Sequence, residues 1–133
     1  MRMNKKELKQ ILYLDELIDS KIRILESLRL RRFNIGATQF KDDKVQKTNW
    51  RNYQEDLIIK ISDLEKDITK DVDRLVDIKA KAKKEIDKLD NPYRLVMSMR
   101  YLECLKWRDI AHHLGYSVQA VYKIHGQALK RVE

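Results

Sequence analysis

The sequence predicts an all-α protein: a long, coiled-coil-like N-terminal antiparallel helical hairpin, then a short C-terminal helical domain. Three observations predict it. Among 133 residues only 3 are Gly and 1 is Pro, whereas sandwiches and doubly wound sheets need these residues at frequent tight turns. Apolar residues recur at spacings of three and four over two long stretches, the pattern of helices that bury one stripe. With 38% of its residues charged the chain can solvate the remaining faces, while 43% apolar and 8% aromatic residues argue against wholesale disorder.

The first helix is predicted over about residues 4–32, roughly 40 Å at about 1.5 Å per residue. Ile11, Ile18 and Leu25 fall seven apart, Leu14 and Leu28 stand at intervening positions, and Leu8 and Ile22 widen the stripe. Arg29, Arg31 and Arg32 at its end complement the helix dipole. Residues 33–53 contain Gly36, Phe33, Phe40, Trp50 and Tyr53 without a clear period, and are expected to form an irregular aromatic loop. Phe40, Trp50 and Tyr53 read as a satellite core beneath it, and Asp42 and Asp43 as a solvated turn.

The second helix repeats the pattern more strictly. Ile61, Ile68, Leu75, Ala82 and Leu89 are seven apart, with Leu57, Leu64 and Ile78 between them and Val72 and Ile86 adding a column. Such heptads require a facing helix, and the first helix is the nearest partner. Polar breaks at Lys21, Asp71 and Glu85 leave open an oligomer, such as a homodimer through the N-terminal helices. Asp90 or Asn91 can cap a new short helix with Pro92 in its first turn. The domain boundary is placed there: a hairpin at 1–91, a second domain at 92–133.

Within that second domain, Trp107 to Gly126 has the spacing of a helix-turn-helix. Ile110, Ala111 and Leu114 lie on the inner face of one helix, Gly115 falls at the turn, and Ser117 caps the next helix. Tyr116, Val121 and Ile124 are expected to supply the apolar face of that second helix, continued by Ala128 and Leu129. The outward residues are then Ser117, Gln119, Ala120, Tyr122 and Lys123, with Gln127 and Lys130 further along. Gln can bond adenine edges, Lys can reach guanine acceptors or a phosphate, and Ala can touch a thymine methyl. Lys106 and Arg108 are placed for phosphate contacts.

Charge agrees with a polyanionic partner. The formal net charge is +8 and the pI about 9.5, with 13 basic and 7 acidic groups in residues 1–53, 9 and 11 in 54–91, and 7 and 3 in 92–133. No carboxylate lies between Ser117 and Val132, where phosphates would repel one. Lys41, Lys44, Lys47 and Arg51 leave open a second DNA-contact arm in the 33–53 loop.

Pro92-Tyr93-Arg94 through Arg100-Tyr101-Leu102-Glu103, then Leu105-Lys106-Trp107-Arg108-Asp109-Ile110-Ala111, Leu114-Gly115-Tyr116-Ser117 and Val121 to Leu129 resemble the C-terminal domain of ArpU/RinA-like phage transcriptional regulators. That domain is similar in turn to region four of bacterial sigma factors. Asp43-Lys44-Val45-Gln46-Lys47-Thr48 also resembles a motif these regulators carry before their long helix. The resemblance implies a phage or prophage activator of late packaging and morphogenesis genes, binding double-stranded promoter DNA and acting with host RNA polymerase. Cys104 departs from the pattern, which often has Gly there between two helices. A phage packaging protein of the terminase small-subunit type, which also joins a helix-turn-helix to oligomerising helices, is the alternative.

Other chemistries find no support. His112, His113 and His125 lack the spacing and companions of a metal site, read as surface or groove-edge histidines, and leave neither metal nor cofactor implied. A single cysteine excludes an internal disulfide. No catalytic constellation is visible and a mass of 16.0 kDa holds no large enzyme core, so an enzyme is not expected. Without a membrane-spanning apolar run, or an apolar region after the Lys-rich residues 1–10, a cytoplasmic protein with no membrane partner is expected.

Overall fold

The computed structural model describes residues 3–37 and 44–132, with side chains described outside 34–37 and 44–46. Every element among them is helical: α1 (Lys5–Ala37), α2 (Lys44–Ile86), α3 (Tyr93–Met97), a π-helical segment (Ser98–Leu102), α4 (Trp107–Leu114) and α5 (Val118–Val132). These residues form two compact units. One comprises Met1–Glu16 with Asp73–Glu133, the other Leu17–Val72, and the joint expected at residue 91 falls inside the first.

In the Leu17–Val72 unit, α1 and α2 run antiparallel with one seam between them. Ile18 and Leu25 of α1 and Leu57 and Ile61 of α2 are buried, in the expected register. The polar breaks answer one another: Lys21 pairs with Asp67 at 2.8 Å and with Asp71, which is itself buried. Both carboxylates raise the Lys21 pKa, Asp67 by the larger effect. Paired this way, the charges avoid the cost of a lone buried ion and select one register of the two helices. Arg29 and Glu65 add an exposed pair at 2.8 Å.

The irregular loop expected at 33–53 is corrected. Residues 33–37 continue α1 and 44–53 already belong to α2; Phe40, Lys41, Asp42 and Asp43 lie outside the described residues. The α2 seam runs upstream from Leu57 through Gln54 to Trp50, both half-buried. A polar Gln in a seam position interrupts the apolar period, so the helix was invisible to hydrophobic spacing. Gln54 instead donates its side-chain amide to the Arg32 carbonyl at 3.4 Å. Tyr53, expected in a satellite core with Phe40 and Trp50, is 39% exposed. Ile22 and Val72 do not widen the stripes either, being exposed, because one helix facing one helix covers a single seam and leaves the flanking columns in water.

The other unit packs the remaining turns of α1 and α2 with the C-terminal helices. Asn4 caps α1 by accepting a hydrogen bond from the Glu7 amide at 2.9 Å. Met3, Leu8, Ile11, Leu14, Ala82, Ile86 and Leu89 are buried, and Glu7 meets Lys81 at 3.2 Å. The side-chain cap expected from Asp90 or Asn91 is absent: the Arg94 amide donates to the Asp90 backbone carbonyl at 2.9 Å, and Val96 to that of Pro92 at 3.1 Å. The Asn91–Pro92 peptide is cis.

Between the π-helical segment and α4, Cys104 has φ of 57°. The left-handed backbone is the reason a glycine suits this turn, since a Cβ there crowds the following carbonyl at a cost of about 1–2 kcal/mol. Cys104→Gly relieves that crowding but loosens the unfolded chain and removes a half-buried side chain, so its effect is within about 1 kcal/mol. Cys104→Val adds a branched Cβ at the same φ. We expect it to lower stability by about 1–2 kcal/mol relative to Cys104→Gly, measured by denaturant unfolding; equal midpoints for the two variants contradict a strained turn.

Candidate nucleic-acid interface

α4, the turn after it and α5 make the helix-turn-helix. Ile110 and Val121 are fully buried and pack with Ala111 and Val96; Met99, Leu105, Trp107, Leu114, Val118 and Ile124 surround them. The turn is made by Gly115, whose φ of 69° is left-handed, and by the Tyr116 amide donating to the Ala111 carbonyl at 3.0 Å. A Cβ on Gly115 would meet nothing within 4 Å, so backbone conformation alone, and not space, demands glycine there. The Ser117 side-chain oxygen accepts from the Ala120 amide at 3.1 Å, the expected cap of α5.

Tyr116 does not join the apolar face. It is 45% exposed and belongs to the turn; Val118, three residues before Val121 and on the same helical face, takes that place in the core.

An aromatic cluster holds α5 against α4. Trp107 meets the Tyr122 ring edge-on at 5.2 Å and the His125 ring at 4.6 Å. Arg100 lies over the Trp107 ring at 4.3 Å and donates to the Leu105 carbonyl at 2.8 Å, its Nε buried without a partner. Tyr101 lies 2.7 Å from His125 Nε2. Burial pushes the Tyr101 phenol up, keeping it protonated beside His125. A second clasp joins α3 to α5: Arg131 stacks on Tyr93 at 4.1 Å, and the Tyr93 hydroxyl donates to Gln127 at 3.3 Å.

His125 is therefore not a surface or groove-edge histidine. Burial first, then the charges of Arg100 and Lys5, hold its pKa down to about 4. Because the folded value lies below the unfolded one near 6.5, the stability contributed by neutral His125 is complete above about pH 6.5. It is lost as pH falls through the window from 6.5 to 4. Discounted for partial exposure, the loss is about 2 kcal/mol. We expect the thermal midpoint of His125→Gln to change less between pH 7 and pH 4 than that of the unsubstituted chain; parallel pH profiles would refute this.

The outward positions divide into three groups. Ser117, Gln119, Tyr122 and Lys123 are exposed and Ala120 half-exposed over the first two turns of α5. Lys106, the extended residue preceding α4, and Arg108 in its first turn are exposed as well. Gln127 and Lys130 are exposed further along, but Gln127 is engaged by Tyr93. Spacing on α5 found the outward residues. Tyr101, Tyr93 and Arg131, which position α5, carried no short-range signal because their partners lie 24 to 38 residues away in sequence.

The electrostatics suit an anion. The first turn of α5 has no acidic residue, so the partial positive charge of its free amides faces outward without a local counter-charge. Lys123 stands one turn further on and no carboxylate follows as far as Val132.

Residues 80–132 match the family model for sigma-70, region 4. The match runs from the end of α2 through α5 and includes the Trp107 cluster, the Gly115 turn and the outward residues of α5. The C-terminal part of the chain is thus similar to sigma-70 region 4, a DNA-binding helix-turn-helix of the transcription machinery. No curated protein and no solved structure matches the chain. Among the described residues no helix is long and apolar enough to cross a membrane.

Proposed function

We propose that this chain is a sequence-specific DNA-binding transcriptional regulator, a phage or prophage activator of late genes that works with host RNA polymerase in the bacterial cytoplasm. The observation that carries the reading is the outer face of α5. It is free of carboxylates, opens on a first turn without acidic residues and presents Gln119, Tyr122 and Lys123 on a region-4-like helix-turn-helix. In this reading residues 92–133 read DNA. Gln119, Ala120, Tyr122 and Lys123 contact base edges in the major groove, while Lys106, Arg108, Ser117 and Lys130 fix the register on phosphates. Gln127 serves α5 through Tyr93 before it serves DNA. The hairpin at 1–91 carries this domain and is the element through which two copies associate.

Selection of bound fragments from the genome that encodes the chain tests this, followed by anisotropy titrations of a selected and a scrambled duplex across salt. The expected result is a recurring site near late genes, bound more tightly than the scrambled duplex and weakened steeply by salt. Equal binding of both duplexes refutes sequence recognition, and a recurring site at a packaging origin with no promoter activity refutes the activator role.

A further inference from the structure

A second cationic surface lies on the Leu17–Val72 unit, on residues the helix-turn-helix does not use. Along α1, a shallow depression of about 360 Å3 is lined by Ser20, Arg23, Ile24, Ser27, Leu28 and Arg31. Its lining offers two guanidinium groups and two hydroxyls, and contains no carboxylate. Arg23, Ser27 and Arg31 recur every four residues, so they stand along one helix face over about 12 Å at about 1.5 Å per residue. Arg32 follows, and the Gln54 hydrogen bond to its carbonyl sets the first turns of α2, with Arg51, beside this end of α1. Arg23, Arg31, Arg32 and Arg51 are exposed and have no ion pair among the described residues. Arg29, by contrast, is held by Glu65.

Among the described residues these arginines have no paired carboxylate, and a polyanion would supply the counter-charge. Over residues 29–53 the chain holds 7 basic and 2 acidic groups. Asp19 and Glu26, exposed on the adjoining face of α1, bound the track on one side. Planar guanidinium groups with intervening hydroxyls match phosphate oxygens, the contacts that fix position without carrying sequence.

We infer that the Arg23–Ser27–Arg31 face of α1, with Arg32 beside its end, is a second DNA-binding surface that grips the phosphate backbone without regard to sequence. The choice of duplex DNA as the polyanion rests on the proposed function; the site itself rests on the arginines and the depression. The two surfaces divide the work: α5 discriminates between sequences, and the α1 face adds affinity common to all of them.

The test compares the salt dependence of duplex binding by the full chain and by Arg23→Gln/Arg31→Gln/Arg32→Gln. Each phosphate contact contributes about 0.9 to the slope of log affinity against log salt. The triple variant is expected to bind with a slope shallower by about 2 to 3, and to lose affinity by the same factor on selected and scrambled duplexes. Glu26→Lys, which extends the track, is expected to steepen the slope by about 1. Lys66→Gln/Lys70→Gln, exposed on α2 among carboxylates, is expected to leave it unchanged. Circular dichroism confirms that each variant is folded, and light scattering gives its mass.

An unchanged slope in the folded triple variant overturns the inference while leaving the helix-turn-helix reading intact. A changed mass accompanying the loss assigns the face to a second copy of the chain and also overturns it. So does arginine-dependent binding to phosphatidylglycerol vesicles with no effect on duplex affinity. Failure of the full chain to bind duplex DNA at all overturns both readings.

Discussion

Replacing Gln119 and Lys123 together with alanine is expected to abolish sequence discrimination and leave a folded chain that still binds DNA. Both side chains are exposed on the first two turns of α5, outside the core that Val121 and Ile124 join, so truncation opens no cavity. A well-placed base contact is worth about 1–3 kcal/mol against the wrong base, which makes the double variant's loss on a selected duplex about 30- to 25,000-fold. The contacts assigned to Lys106, Arg108 and Ser117 persist, so binding to a scrambled duplex falls far less. Lys123 is the one charge removed, and the salt slope changes by no more than about 1. Anisotropy titrations of the two duplexes measure both quantities. Undiminished discrimination would falsify the assignment of α5 as the reading helix.

Ile110→Ala is expected to have the largest effect on stability. Ile110 is completely buried between Val96, Ala111 and Val121, where truncation removes transfer energy and leaves a cavity, costing about 2–5 kcal/mol. Against a total stability of about 5–15 kcal/mol, that shifts much of the population toward the unfolded state. The two tryptophans localise the damage. Trp107 lies in the unit that contains Ile110, and Trp50 in the Leu17–Val72 unit. In a Trp50→Phe background the fluorescence of Trp107 should report a denaturation midpoint lowered by that amount. Ser62→Ala, on the exposed side of α2, should leave it unchanged. A midpoint unaffected by Ile110→Ala contradicts the packing of α4 on α5.

The pH and turn predictions concern how α5 is held, and so bear on function indirectly. Neutral His125, wedged between Tyr101 and Trp107, ties the second half of α5 to the helices before it. Cys104 shapes the turn that delivers α4. Loosening either affects the angle at which Gln119 and Lys123 are presented, without touching those residues.

Much of the architecture was legible from spacing. The seam of α2 from Leu57 to Ala82 matched burial at Leu57, Ile61, Leu75 and Ala82, since a helix that packs on one partner must repeat every three or four residues; the added column at Val72 did not. Gly115 and Ser117 were legible for a local reason: a left-handed turn and a helix cap each restrict residue type at a single position. The start of α2 was not legible, because Gln54 occupies a seam position and hydrophobic spacing cannot see a polar seam residue satisfied by the Arg32 carbonyl. Tyr116 misled because a large apolar residue beside a turn satisfies composition without satisfying the geometry of the helix that follows.

Sequence by itself determined the helical hairpin from its seam, the helix-turn-helix and the character of the α5 surface: local preferences, a period of three to four and the run without carboxylates from Ser117 to Val132 suffice for these. Only the tertiary structure decided which charged and aromatic residues act together. Lys21 was paired with Asp67 and Asp71, Gln127 with Tyr93, and His125 with Tyr101 and Trp107. Among the described residues it also left Arg23 and Arg31, on one face of α1, without an ion pair. The physical reason is range. Periodicity and capping are settled within a few residues, whereas burial, pKa and ion pairing depend on groups the chain brings together from distant positions.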